Sequence, residues 1–262
     1  MLVIVSFVMF AAYVASDNIF AVETTLKGAS YGITGSEYSS LAGAYSIINV
    51  YLLMLIFGGF ILDKKGIRFT GIMSTILMVL GVGMMTFSFF KLHNMVASGA
   101  EMGTVNFLGD TLRTPVLPAV IGMGIYGVGA EIAGITATKA IAKWFTGYEM
   151  ALAMGLEMAI ARLGVFGVMW IAPIISARFG GDVVAPLGFC GALLCIGLLN
   201  FIIFAFLDSK FDSQLVAAGM ATEEKSPEDE FHISDLGAIF KSKMFWIVAL
   251  LCVLYYSAIF PF

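Results

Sequence analysis

The chain has 262 residues, of which 60% are hydrophobic and only 12% charged, and its mean hydropathy is +0.97. A soluble domain carries about 25% charged residues, so the composition predicts an all-α membrane protein. The formal net charge of −4 offers no basic face for nucleic acid, which is excluded as a partner.

A membrane-spanning helix needs about 20 apolar residues. Such stretches lie at 2–20, 40–62, 70–91, 116–140, 149–175, 184–207 and 244–262, which predicts seven helices. No basic segment precedes the first, and no small-residue cleavage site closes it, so it reads as a span and not as a secretory signal. Between the third and fourth spans, His93 to Pro118 carries Gly99, Gly103, Gly109 and Pro115. It reads as an irregular loop with no evident role. Within the fourth span, Gly122-Met123-Gly124-Ile125-Tyr126-Gly127 has the spacing of a dinucleotide fingerprint. It follows no strand, and the small residues are better explained as a surface for close helix packing. The stretch from Asp208 to Lys243, rich in Glu223, Glu224, Glu228, Asp229 and Glu230, reads as a charged linker. At its end, Leu236, Ile239 and Phe240 have helical spacing, which fits a short helix on the membrane surface or a solvated tether equally well.

Basic residues orient the chain. With 63–69 inside, Lys64, Lys65, Arg68, Lys139, Lys143, Lys210, Lys225, Lys241 and Lys243 fall on the inner side. Lys27, Lys91, Arg113 and Arg178 fall on the outer side, and Arg162 lies within the bilayer. This asymmetry puts the linker in the cytoplasm. Cys190, Cys195 and Cys252 sit in apolar spans without paired spacing, as small packing residues do. His93 and His232 belong to loops on opposite sides. With no histidine in a span, no zinc or haem site and no Ser-His pair is expected, and neither metal nor cofactor is implied.

The turn after the second span, Gly59-Phe-Ile-Leu-Asp63-Lys64-Lys-Gly66-Ile-Arg68, resembles the loop between helices two and three of major facilitator superfamily transporters. In that pattern Gly is followed after three residues by Asp, a basic residue, any residue, Gly, any residue and a basic residue. Gly59, Asp63, Lys64, Gly66 and Arg68 fill every fixed position. A glycine there lets two helices approach, Asp63 suits the positive N-terminus of a neighbouring helix, and Arg68 is expected to brace that charge. The resemblance implies two six-helix bundles joined by a cytoplasmic linker. The expectation is therefore an incomplete transporter: 1–207 as the N-terminal bundle, 208–243 as the linker, and 244–262 as the first helix of the second bundle.

Ionisable residues inside spans are costly, about 2.5 to 3.5 kcal/mol near the bilayer centre, and mark function by default. The candidates are Glu131 in the fourth span, Glu157 and Arg162 in the fifth, and Asp17 near the outer end of the first. From the apolar boundaries, Glu131 lies about 13 Å and Arg162 about 20 Å from the inner ends of their spans. This spacing suits a small zwitterion, with the acid on an ammonium and the guanidinium on a carboxylate. Mutual neutralisation as a buried pair is the other reading. Glu157 stands 140° around the helix from Arg162 and fits either the cavity or a protonated packing position.

Asp17-Asn18, Gly58 to Arg68, Gly129-Ala130-Glu131, Trp144-Phe145 with Gly147 and Glu149, Gly155-Leu156, Ala161-Arg162-Leu163-Gly164 and Tyr255-Tyr256 with Phe260-Pro261-Phe262 together are similar to the lysosomal dipeptide uniporter family and its bacterial relatives. The resemblance implies a non-enzymatic transporter of dipeptides working by alternating access, monomeric at full length and embedded in lipid. It implies that Glu131 holds the amino end and Arg162 the carboxylate, with Asp17, Asn18, Glu157, Tyr255 and Tyr256 around them. Glu157 replaces an expected glutamine, and no acidic dileucine or Asn-x-Ser/Thr sequon is present. A prokaryotic cytoplasmic membrane is therefore expected, with the lysosomal membrane as the alternative. A proton-coupled carrier of organic anions or drugs, and a non-transporting sensor or scaffold, remain the other functional readings.

Overall fold

A computed structural model describes residues 1–51, 54–107, 109–217, 237 and 240–259. Residues 1–217 and 218–262 form two separate units. The first contains α1 (Leu2–Ala21), the short α2 (Glu23–Lys27), α3 (Gly35–Tyr51), α4 (Met54–Ser98), β1 (Thr104–Phe107), β2 (Asp110–Arg113), α5 (Leu117–Trp144), α6 (Gly147–Arg178) and α7 (Val184–Ala217). The second contains α8 (Lys243–Ile259). Among the described residues, α1, α4, α5, α6 and most of α7 are long and apolar enough to cross a membrane, and the protein is an integral multi-pass membrane protein.

The predicted second and third spans meet at one residue. Gly66 has φ +79° and ψ 173° inside α4, a left-handed conformation that glycine adopts without steric cost. It divides α4 into arms 54–65 and 67–98, so the turn predicted around Asp63 is reduced to a single glycine. The helices also outrun their apolar cores: the third reaches Ser98, the fourth Trp144, and the sixth continues to Ala217. Asp208 and Asp212 are thereby helical residues of α7 and not part of an extended tether.

Glycine sets the closest approaches. A Cβ on Gly81 would stand 2.5 Å from the carbonyl oxygen of Gly122, and one on Gly122 would stand 2.7 Å from that of Gly81. Gly129 meets the Ser74 carbonyl in the same way, while Gly124 and Gly127 face Ile48 and the Tyr45 carbonyl of α3. The glycines of α5 thus form two stripes, one against α4 and one against α3, as the packing reading of 122–127 requires. α1 is nearly surrounded, burying Val5, Val8, Ala11, Ala12, Val14 and Ala15. It packs against α6 at Gly164, which abuts Phe10 and Val14, and against α7 at Gly197, which abuts Val8.

The outer loop from 93 to 118 is not irregular. β1 and β2 pair antiparallel, Thr104 opposite Arg113 and Phe107 opposite Asp110. Arg113 donates from Nε and its terminal nitrogen to the two oxygens of Glu37, both at 2.8 Å, and also to the Tyr31 and Gly32 carbonyls. Glu37 is buried beneath it, while Asp110 accepts from Ser36 and Ser40 of α3. Tyr31 donates to Asp182 at 2.6 Å, and the Val183 amide donates to the Tyr31 oxygen. Burial, then the bond to Asp182, pushes the Tyr31 phenol well above the ordinary tyrosine range. The hairpin therefore clamps the outer ends of the bundle together.

Candidate functional site

The helix lengths bring the two central charges to one depth. Glu131 lies about 20 Å from the inner end of α5 and Arg162 about 22 Å from that of α6, a smaller offset than the apolar boundaries predict. Glu131 lines a cleft of about 80 Å³ together with Met9, Tyr13, Ser16, Tyr45 and Gly134. Tyr45 donates its hydroxyl proton to Glu131 Oε1 at 2.9 Å. The Arg162 guanidinium carbon stands 5.4 Å from the centre of the Tyr13 ring, within cation–π range. Arg162 is exposed, and no ion pair joins it to Glu131 among the described residues. The mutual-neutralisation reading is therefore not what the structure contains. The cleft instead presents the acid, held by Tyr45 of α3, while the exposed Arg162 of α6 stands over the ring of Tyr13, a cleft residue of α1.

The other candidates separate. Asp17 is half-buried on α1 and acts electrostatically on Arg162. Asn18 is fully buried and donates to Cys190 Sγ of α7 at 3.2 Å, which makes it a packing contact between α1 and α7, away from the residues that line the cleft. Glu157 is 8% exposed and shares its buried stripe of α6 with Ala153, Ala161 and Gly164. Tyr255 belongs to α8 in the other unit, and the side chain of Tyr256 lies outside the described residues.

The inner turn also departs from expectation. A Cβ on Gly59 would meet nothing within 4 Å, whereas one on Gly58 would stand 2.8 Å from Ile132, so Gly58 makes the close approach. Lys64 lies over the Phe60 ring. Asp63 pairs with Lys139 of α5. Arg68 does not brace Asp63: it binds Asp208 at 2.7 Å through Nε and also pairs with Asp212. Lys143 reaches the same two carboxylates, and Trp144 Nε1 donates to Asp208 at 3.1 Å while its ring packs on Phe211. One network therefore ties the inner ends of α4, α5 and α7. The sequence carries its signal in two i,i+4 pairs, Lys139 with Lys143 and Asp208 with Asp212, which put like charges on one helix face each.

The family model of the Major Facilitator Superfamily matches residues 5–262. The zebrafish (Danio rerio) lysosomal dipeptide transporter MFSD1 is 26% identical over 272 residues, covering 100% of this chain and 52% of the relative. The human (Homo sapiens) protein of that name is 26% identical over 270 residues, covering 100% and 51%. The chicken (Gallus gallus) one is 28% identical over 150 residues, covering 54% and 32%. The chain spans about half the length of the first two.

Proposed function

Because the chain belongs to the Major Facilitator Superfamily, whose members are transporters and not enzymes, we propose that the protein is a secondary transporter of small peptides working by alternating access. Dipeptides are its substrate class, Glu131 receives the amino end and Arg162 the carboxylate. The observation that carries this reading is the cleft itself: Glu131 lines it and accepts from the Tyr45 hydroxyl, and Arg162 stands over the ring of Tyr13, which lines the same cleft. A guanidinium suits a carboxylate because its fork binds both oxygens. Residues 1–217 then act as one bundle rocking about this site, 218–242 as the cytoplasmic linker, and α8 as the opening helix of the second bundle. The names of the relatives in fish, human and chicken point the same way.

The test is binding to the intact protein in detergent by calorimetry, with a free dipeptide and its N-acetylated counterpart. Glu131→Gln weakens the free dipeptide and spares the acetylated one; Arg162→Lys weakens both, since a point-like ammonium does not replace the fork. If Glu131 only carries a proton for an anion bound at Arg162, Glu131→Gln leaves binding unchanged and removes pH-driven accumulation alone. Equal losses for both peptides in Glu131→Gln refute the amino-end assignment.

A further inference from the structure

We infer that Tyr45, which no sequence pattern singles out, is a positioning residue that makes the acidic end of the cleft selective for an unblocked ammonium; the inference rests on the peptide reading above. The argument begins at Gly127. A Cβ there would stand 2.7 Å from the Tyr45 carbonyl oxygen, so α3 crosses α5 at this point only because the residue is glycine. Glu131 lies one turn further along α5, on the same face as Gly127. From its seat over Gly127, the Tyr45 side chain reaches across that turn and places its hydroxyl 2.9 Å from Glu131 Oε1.

The ring is itself held. The Tyr126 ring lies 6.3 Å from it, and the Tyr126 hydroxyl donates to the Ala12 carbonyl of α1. The Asn49 amide donates to the Tyr45 carbonyl at 2.8 Å. Tyr45, Tyr126 and Glu131 all line the cleft, so the chain from α1 through α5 and α3 back to α5 ends on the carboxylate.

This has a chemical consequence. A phenol O–H donates to a carboxylate oxygen and fixes its plane. That occupies one oxygen and leaves the other as a directed acceptor for an N–H of an ammonium. An acetylated amine has no charge to meet it and a single N–H to offer. Without the phenol the carboxylate rotates about its side-chain torsions, so the cost falls on ligands that use it and not on those that bypass it.

The experiment is a cycle of Tyr45→Phe, Glu131→Gln and the double variant in the intact protein, with affinities for a free dipeptide and its N-acetyl form. Tyr45→Phe is expected to lower the preference for the free form about tenfold, the scale of one hydrogen bond to a charged group. Affinity for the acetyl form changes less than about twofold, and the double variant is no less selective than Glu131→Gln alone, as coupling through one carboxylate demands. Unchanged thermal unfolding of Tyr45→Phe shows that the bundle is intact. Gly127→Ala, which pushes α3 outward, gives the same loss of selectivity without altering a cleft side chain. If Glu131→Gln collapses the preference and Tyr45→Phe leaves it untouched, the positioning role is overturned and the peptide reading stands. If Glu131→Gln also leaves it untouched, both fall.

Discussion

Asp208→Asn gives the sharpest test of the inner charge network. The Asp208 side chain is 2% exposed and accepts from Arg68, from Lys143 at both of its oxygens and from the Trp144 indole, whereas Asp212 is 26% exposed and, among the described residues, accepts from the two cations alone. Removing one partner of a buried ion pair costs about 3–5 kcal/mol when the other charge is stranded. Here Arg68 is 38% and Lys143 30% exposed, and both keep Asp212, so solvent and the second carboxylate offset much of that cost. The amide also turns a donor toward two cations. About 2 kcal/mol is the expected loss for Asp208→Asn, against less than about 1 for Asp212→Asn, whose carboxylate is itself the more solvated of the two. For a bundle of this size, that difference separates the unfolding midpoints by roughly 2–4 °C. The buried Cys190 thiol reports the transition in detergent through a thiol-reactive dye, with Cys195 and Cys252 replaced by serine in every variant. Equal midpoints for the two variants would refute the argument that burial, and not charge count, ranks these carboxylates.

Three further substitutions test packing and the outer clamp. Gly81→Ala forces a methyl against the Gly122 carbonyl and the Tyr126 amide and lowers stability by about 1–3 kcal/mol, whereas Gly83→Ala, with nothing within 4 Å, is neutral or slightly stabilising because it removes a helical glycine; the same dye assay compares them. Arg113→Lys keeps the charge but cannot engage both oxygens of Glu37 and two carbonyls at once, so limited proteolysis from the outer side is expected to cut 99–116 faster, and an unchanged rate counts against the clamp.

The long apolar helices α1, α4, α5, α6 and α7 and the small-residue surface of α5 were legible because hydropathy and glycine spacing report directly on burial and close approach. Glu131 and Arg162 came from a related rule, that a charge in an apolar run is costly, and of the two Glu131 lines the cleft. The hairpin was not legible, because β1 and β2 carry little alternation and are secured by one arginine whose partner, Glu37, lies far away in sequence. Asp208 and Asp212 read as linker because the apolar run ends at 207, yet charged side chains prolong a helix past the bilayer when cations on neighbouring helices await them. Arg68 was assigned to Asp63 through proximity in sequence, while the helical turn after Gly66 directs it to α7. Tyr45 left no trace at all: a tyrosine in an apolar span is common, and only the crossing at Gly127 aims it.

The central place of α1 has a bearing on how the protein is made. Its closest partners are α6 and α7, which begin at Gly147 and Val184, while α3, α4 and α5 contact one another consecutively. At about 5–20 residues per second of synthesis, α1 waits many seconds in lipid before the surfaces of α6 and α7 that enclose it exist. The middle helices can assemble as they emerge. The buried Asn18 and the small alanines of α1 thus spend that interval without the α6 and α7 surfaces that cover them in the finished bundle.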